Sequence, residues 1–200
     1  TLANLDDVIK DCDMFLGLSG PGVLTSKMVL KMNKQPIIFA LANPDPEINP
    51  ADALKVAPDA LIATGRSDYP NQVNNVLCFP FIFRGALDVG ATQINDEMKL
   101  ACIHAIANLA RQTSTAETVE AYQGEILKFG KEYLIPKPFD PRLLPNVAVA
   151  VAEAAMKSGV ASRPLKDVEA YKQKLEGSVY KSTILMKPVF EAAKTSSRKI

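Results

Sequence analysis

Apolar positions along the chain collect in three short unbroken runs, each closed by turn-forming residues. The clearest is the middle one, where six apolar residues, Ile37 to Ala42, lie between Pro36 and Asn43-Pro44. A continuous run of that length, rather than an alternating one, predicts a strand buried on both faces, as parallel sheets flanked by helices require. Pro44 disfavours the α conformation at the residue before it. Asn43 is therefore expected to stay extended just past the strand's carboxyl end. The earlier run, Asp13 to Leu18, stops at Ser19-Gly20-Pro21-Gly22, and the later one, Ala60 to Thr64, stops at Gly65-Arg66-Ser67-Asp68-Tyr69-Pro70.

Helical signals separate these strands. Leu5 to Asp11 is a short amphipathic stretch, and Thr25 reads as the N-cap of a helix reaching about Met32. Asn49 and Pro50 supply a cap and a first-turn proline for a helix to about Val56, ended by Ala57-Pro58. Strands joined by helical crossovers form a parallel sheet with right-handed connections. The predicted fold is α/β, a Rossmann-like parallel sheet flanked by helices, with a helical C-terminal extension. In such sheets ligands bind at the carboxyl edge of the strands. Nine polar or glycine positions are delivered there: Ser19, Gly20, Asn43, Gly65, Arg66, Asn71, Gln72, Asn74 and Asn75. Each Asn taken singly reads equally well as a turn or helix cap. The glycine-rich turn before Thr25 is a possible anion cradle or a plain connection.

Downstream, Leu77 to Leu87 is apolar and aromatic, and Pro80 is expected to interrupt any long regular element there. A helix from about Asn95 to Arg111 is apolar nearly all round, which predicts an interior position. It carries the single histidine, His104, read as a packing or rim residue rather than a general base. Residues 114–133 read as more exposed helix. Asp140 and Pro141 are expected to cap and start an Ala/Val-rich buried helix through Met156, ending near Gly159. Residues 164–176 suggest a charged surface helix, 177–190 an arm and 194–200 a basic tail. The expected division is 1–160 for the sheet and its helices and 161–200 for a helical extension or linker.

Composition narrows the function classes. A chain of 200 residues with 48% apolar content can bury an ordinary core. A formal charge of +1 gives no electrostatic ground for a nucleic-acid or acidic-membrane partner. Cys12, Cys78 and Cys102 are odd in number and well separated in sequence, with no CxxC pair, which argues against a disulfide framework or a cysteine zinc site and fits a reducing, cytoplasmic location. No run approaches a membrane span, and the start, Thr1-Leu2-Ala3-Asn4, has no signal-peptide pattern. With no initiator methionine, the chain is expected to be a processed product or a piece of a longer polypeptide.

Four segments resemble the C-terminal cofactor portion of bacterial-type malic enzymes. They are Phe15-Leu16-Gly17-Leu18-Ser19-Gly20-Pro21-Gly22, Ile38 to Glu47 with its Ala40-Leu41-Ala42-Asn43-Pro44 turn, Ala63 to Asn75, and Tyr133 to Arg142. The closing stretch, Tyr180 to Lys194, is similar to the segment that precedes a phosphotransacetylase-like domain in the larger family members. The resemblance implies oxidation of malate with NAD or NADP and decarboxylation of the bound oxaloacetate to pyruvate, assisted by Mg²⁺ or Mn²⁺. It places Asn43 and Asn75 at the nicotinamide end of the cofactor and at the substrate carboxylate, makes Asn74 a substrate-binding residue as well, and has Ser19 and Gly20 line the cofactor cleft. It also implies that the family's tyrosine acid, lysine base, three carboxylate metal ligands and first glycine-rich fingerprint precede Thr1, and that family members are commonly homo-oligomers. No metal ligand is assigned here, since Asp45 and Glu47 read as framing a turn and helix start. The chain alone is then expected to be inactive. The alternative is a noncatalytic nucleotide-binding or oligomerisation module.

Overall fold

The computed structural model describes residues 4–113, 119 and 127–179. These fall into two compact units, one drawn from residues 4–77, 110–113 and 127–138, the other from 78–109, 119 and 139–179.

In the first unit, β1 (Met14–Gly17), β2 (Ile37–Ala40) and β3 (Leu61–Thr64) form a three-stranded parallel sheet in the order β1-β2-β3. Phe15 pairs with Ile38 and Ile38 with Ile62, so these three share one face. The connecting helices are α1 (Leu5–Val8), α2 (Ser26–Val29) and α3 (Pro50–Val56). Each starts as its cap dictates: Asn4 and Asp7 make a reciprocal capping box, Thr25 accepts from the Met28 amide at 3.3 Å, and Asn49 accepts from the Ala51 amide at 2.9 Å ahead of Pro50. The core lies between the helices and this face, with Ile9, Leu24, Val29, Ile38, Ala53 and Ala60 buried. The opposite face is less covered than an unbroken apolar run predicts. Met14 and Leu16 of β1 are exposed, Leu16 by 57%, while Ile37 and Phe39 are half-buried. Burial on both faces was too strong an expectation for β2, whose Ile37 and Phe39 side is only half-covered among the described residues.

The second unit is helical: α4 (Phe79–Asp88), α5 (Asp96–Arg111), α6 (Leu143–Lys157) and α7 (168–179). Pro80 does not break a helix here, because it occupies the first turn of α4, where the missing N–H is not needed. Gly85 lets α4 lie directly on α6: a Cβ added there would fall 2.9 Å from Val151 Cβ. Only one side of α5 is interior. Met98 and Cys102 are buried, whereas Leu100, Ile103 and His104 are exposed, so apolar composition overstated its burial. Helix α6 begins at Leu143, two residues later than expected, with Arg142 as its N-cap. Asp140 is buried; its side chain accepts from the Arg142 amide at 3.0 Å just ahead of the helix and binds the Arg142 guanidinium at 2.7 Å. Helix α7 is anchored rather than purely superficial: Tyr171 and Leu175 are buried, and the Tyr171 hydroxyl donates to Asp88 at 2.8 Å.

Of the helix expected over 114–133, residues 114–118 and 120–126 lie outside the described residues. Residues 127–133 contain a turn closed between Gly130 and Tyr133. Of the C-terminal segments, 177–179 continue α7, and 180–200, including the arm's remainder and the basic tail, lie outside the described residues.

Candidate functional site

All three strands of the sheet point their carboxyl ends the same way, and each is followed by one of the predicted site positions. Beyond β1, Gly17 is followed by Leu18 and then Ser19-Gly20. Ser19 is exposed, and a Cβ on Gly20 would meet nothing within 4 Å, so this backbone borders open space. Beyond β2, the chain runs through Leu41 and buried Ala42 to exposed Asn43, whose peptide bond to Pro44 is cis. Beyond β3, the chain loops through residues 65–71 and returns. Gln72 then bridges in parallel with Thr64, and the Val73 amide donates to the Thr64 carbonyl at 2.8 Å. This return leads into exposed Asn74 and Asn75, the latter opening a single 3₁₀ turn, Asn75–Leu77.

The carboxylate of Glu47 ties the first two of these ends together. It is completely buried and accepts hydrogen bonds from the Ser19 amide at 2.8 Å, the Ser19 hydroxyl at 3.3 Å and the Ala42 amide at 3.1 Å. The Glu47 backbone carbonyl also accepts from the Leu24 amide at 3.1 Å. Gly17 makes room for this arrangement, since a Cβ there would sit 2.6 Å from Glu47 Oε1. Burial by itself would raise the Glu47 pKa, but the Ser19 and Ala42 hydrogen bonds outweigh it and hold the carboxyl below the ordinary glutamate range. A buried anion thus fixes the backbone just beyond both β1 and β2. Sequence reading assigned Glu47 to a turn and helix start. The signals that point to it are a carboxylate placed directly before apolar Ile48 and a glycine inside an otherwise apolar strand.

The nine positions at this edge divide by function. Asn71 turns inward: its side chain donates to the Ile62 carbonyl at 2.9 Å and the Lys131 carbonyl at 2.8 Å and accepts from the Leu134 amide at 2.7 Å. It is a buried strap between β3 and the 127–134 turn, with a left-handed φ of 57°, a conformation Asn tolerates. Arg66 pairs bidentately with Asp68 at 2.8 Å, and Gln72 donates to the Gly65 carbonyl at 3.4 Å. The Asn74 side chain accepts from the Val76 amide at 3.0 Å, capping the turn that carries Asn75. The Asn43 and Asn75 amides hydrogen-bond to none of the described residues, which leaves their donors and acceptors facing outward. Exposed neutral amides of this kind can both donate to a carboxylate and pair with a planar amide without carrying charge. Among the described residues no group of three or more His, Cys, Asp or Glu is placed to hold a metal ion, and no helix is long and apolar enough to cross a membrane.

Residues 1–122 match the family model described as the malic enzyme NAD-binding domain. The chain is 60% identical over 196 residues to an NADP-dependent malic enzyme of Escherichia coli (strain K12), covering 98% of this chain and 26% of that protein. It is 56% identical over 194 residues to an NAD-dependent malic enzyme of Rhizobium meliloti (strain 1021), covering 97% of this chain and 25% of that one. The chain therefore spans about a quarter of the length of these relatives. A malic enzyme structure from Pyrococcus horikoshii is similar with a TM-score of 0.72 at 38% identity, over 96% of this chain and 40% of that chain. One from Entamoeba histolytica has a TM-score of 0.76 at 32% identity, over 94% and 37%. The family model, the relatives and the parallel sheet agree: the chain belongs to the malic enzyme NAD-binding domain family.

Proposed function

We propose that this chain is the cofactor-side part of a malic enzyme, a malate dehydrogenase that decarboxylates oxaloacetate and converts malate to pyruvate and CO₂ with reduction of NAD or NADP. The observation that carries this is the carboxyl edge of the parallel sheet, where Ser19, Asn43 and the Asn74–Asn75 pair follow three adjacent strands and Glu47 holds the first two ends. The nicotinamide cofactor, when bound, supplies the hydride acceptor. Ser19 and Gly20 line its cleft. Asn43 and Asn75 orient the carboxamide and the substrate carboxylate, and Asn74 holds the turn from which Asn75 projects. Neutral amides do this without placing a competing charge beside the reacting atoms, and the gain is positioning for hydride transfer. No step is assigned to a metal by the described residues, and the acid, base and Mg²⁺ or Mn²⁺ ligands belong to an additional N-terminal segment.

In this assignment residues 1–160 complete the NAD(P)-binding domain and 161–200 extend it, in a cytoplasmic homo-oligomer. Relatives of similar identity are named for NADP and for NAD, so overall likeness does not select the cofactor. The test is steady-state kinetics on the full-length enzyme carrying this sequence. Asn75→Ala is expected to lower kcat/KM by roughly 5- to 150-fold, the equivalent of about 1 to 3 kcal/mol for one buried polar partner left unsatisfied. An unchanged kcat/KM removes Asn75 from the site.

A further inference from the structure

We propose that Cys78 and Cys102 form a dithiol site that a low-molecular-weight disulfide oxidises to an intramolecular disulfide, independently of the proposed activity. Their Sγ atoms lie 3.3 Å apart, both as free thiols. Disulfide formation brings two sulfurs to about 2.05 Å, so the pair needs only a small approach. The two residues are held there by different elements of the helical unit. Cys78 is the N-cap of α4, its carbonyl accepting from the Phe81 amide at 3.1 Å and the Ile82 amide at 3.0 Å. Cys102 lies on the buried face of α5, only 1% exposed.

This asymmetry sets the order of events. Cys78 is only partly buried and is the entry point. Burial and the neighbouring Cys78 sulfur push the Cys102 thiol up to about 12, which disfavours it as the first nucleophile. The Cys78 thiolate attacks one sulfur of the small disulfide, the S–S bond breaks and one small thiolate leaves and is protonated. Cys102 then loses its proton and attacks the Cys78 sulfur of the mixed disulfide, expelling the second small thiol. Two protein thiols are oxidised and one small disulfide is reduced to two thiols. Cys102 is held beside Cys78, which favours internal closure over a lasting mixed disulfide.

Cys12 belongs to the other unit and bonds to the Val8 carbonyl at 3.1 Å, so it is removed for the test. The Cys12→Ser chain is incubated with oxidised glutathione, remaining thiols are alkylated, and intact and peptide masses are read. The expected result is a loss of two hydrogen masses, no alkylation of Cys78 or Cys102, a linked peptide pair containing both, and reversal by dithiothreitol. Adding Cys102→Ser is expected to leave a stable glutathione adduct on Cys78 instead. Two alkylatable thiols after oxidation of the Cys12→Ser chain, or a lasting glutathione adduct on Cys78 with Cys102 still free, overturns the proposal whether or not the second variant folds.

Discussion

Replacing Glu47 with Gln tests the buried carboxylate that joins the two strand ends. The side chain keeps its shape and one acceptor, but an NH₂ group replaces one carboxylate oxygen. The two Ser19 contacts, at 2.8 and 3.3 Å, can be kept by the remaining oxygen as weaker neutral bonds. The 3.1 Å bond from the Ala42 amide then meets a donor, leaving a buried N–H unpaired. A charge-assisted bond lost and two weakened add up to about 3 to 4 kcal/mol, partly offset because a charge is no longer buried. The lowered pKa of Glu47 gives the sign, since its hydrogen bonds exceed the cost of burying its charge. The expected net loss is about 2 kcal/mol at pH 7, or roughly 1 M in urea midpoint for a slope of about 2 kcal/mol/M. The assay is urea unfolding of both proteins followed by circular dichroism from neutral to acid pH. A carboxyl with a lowered folded-state pKa contributes fully above its unfolded value of about 4.3, and the contribution is lost as pH falls through the lower folded value. Glutamine has no proton to gain, so the gap between wild type and variant should close in acid. A loss below about 0.5 kcal/mol at pH 7, or a gap equally wide at the acid end, would refute the clamp.

Gly17→Ala should cost about 1 to 3 kcal/mol in the same denaturation assay, because the added methyl occupies the space of the Glu47 carboxylate. Asn71→Ala breaks the three hydrogen bonds of the inward strap and should cost about 2 to 4 kcal/mol, with faster amide hydrogen exchange at Leu134 as the local readout. Arg142→Ala leaves the fully buried Asp140 carboxylate without its guanidinium and should destabilise the helical unit by about 3 to 5 kcal/mol, read as a lower thermal midpoint.

Much of the architecture was legible in the chain because its signals are local. Three apolar runs stopped by Ser19-Gly20, Asn43-Pro44 and Gly65-Arg66, and caps at Thr25 and Asn49, act over a few residues and produced the strands and helix starts they predict, although α2 stops at Val29 rather than Met32. The exposed place of Asn43 just past the second strand followed from the Asn43-Pro44 signal. The same local logic misplaced residues whose environment is set elsewhere. Pro80 looked like a breaker and serves as a first-turn proline. Leu100 and Ile103 looked interior and are exposed, because apolar character does not say what packs against it.

The tertiary structure alone decided which polar groups are partners. Glu47 reaches back 28 residues to Ser19, Asn71 reaches 60 residues ahead to Lys131, and Cys78 meets Cys102 across 24 residues. Backbone preference and hydrophobic period are properties of neighbours along the chain. A buried hydrogen bond or a thiol contact depends on which distant segments the sheet and helices bring together, so a local pattern can mark a residue such as Glu47 but does not name its partner.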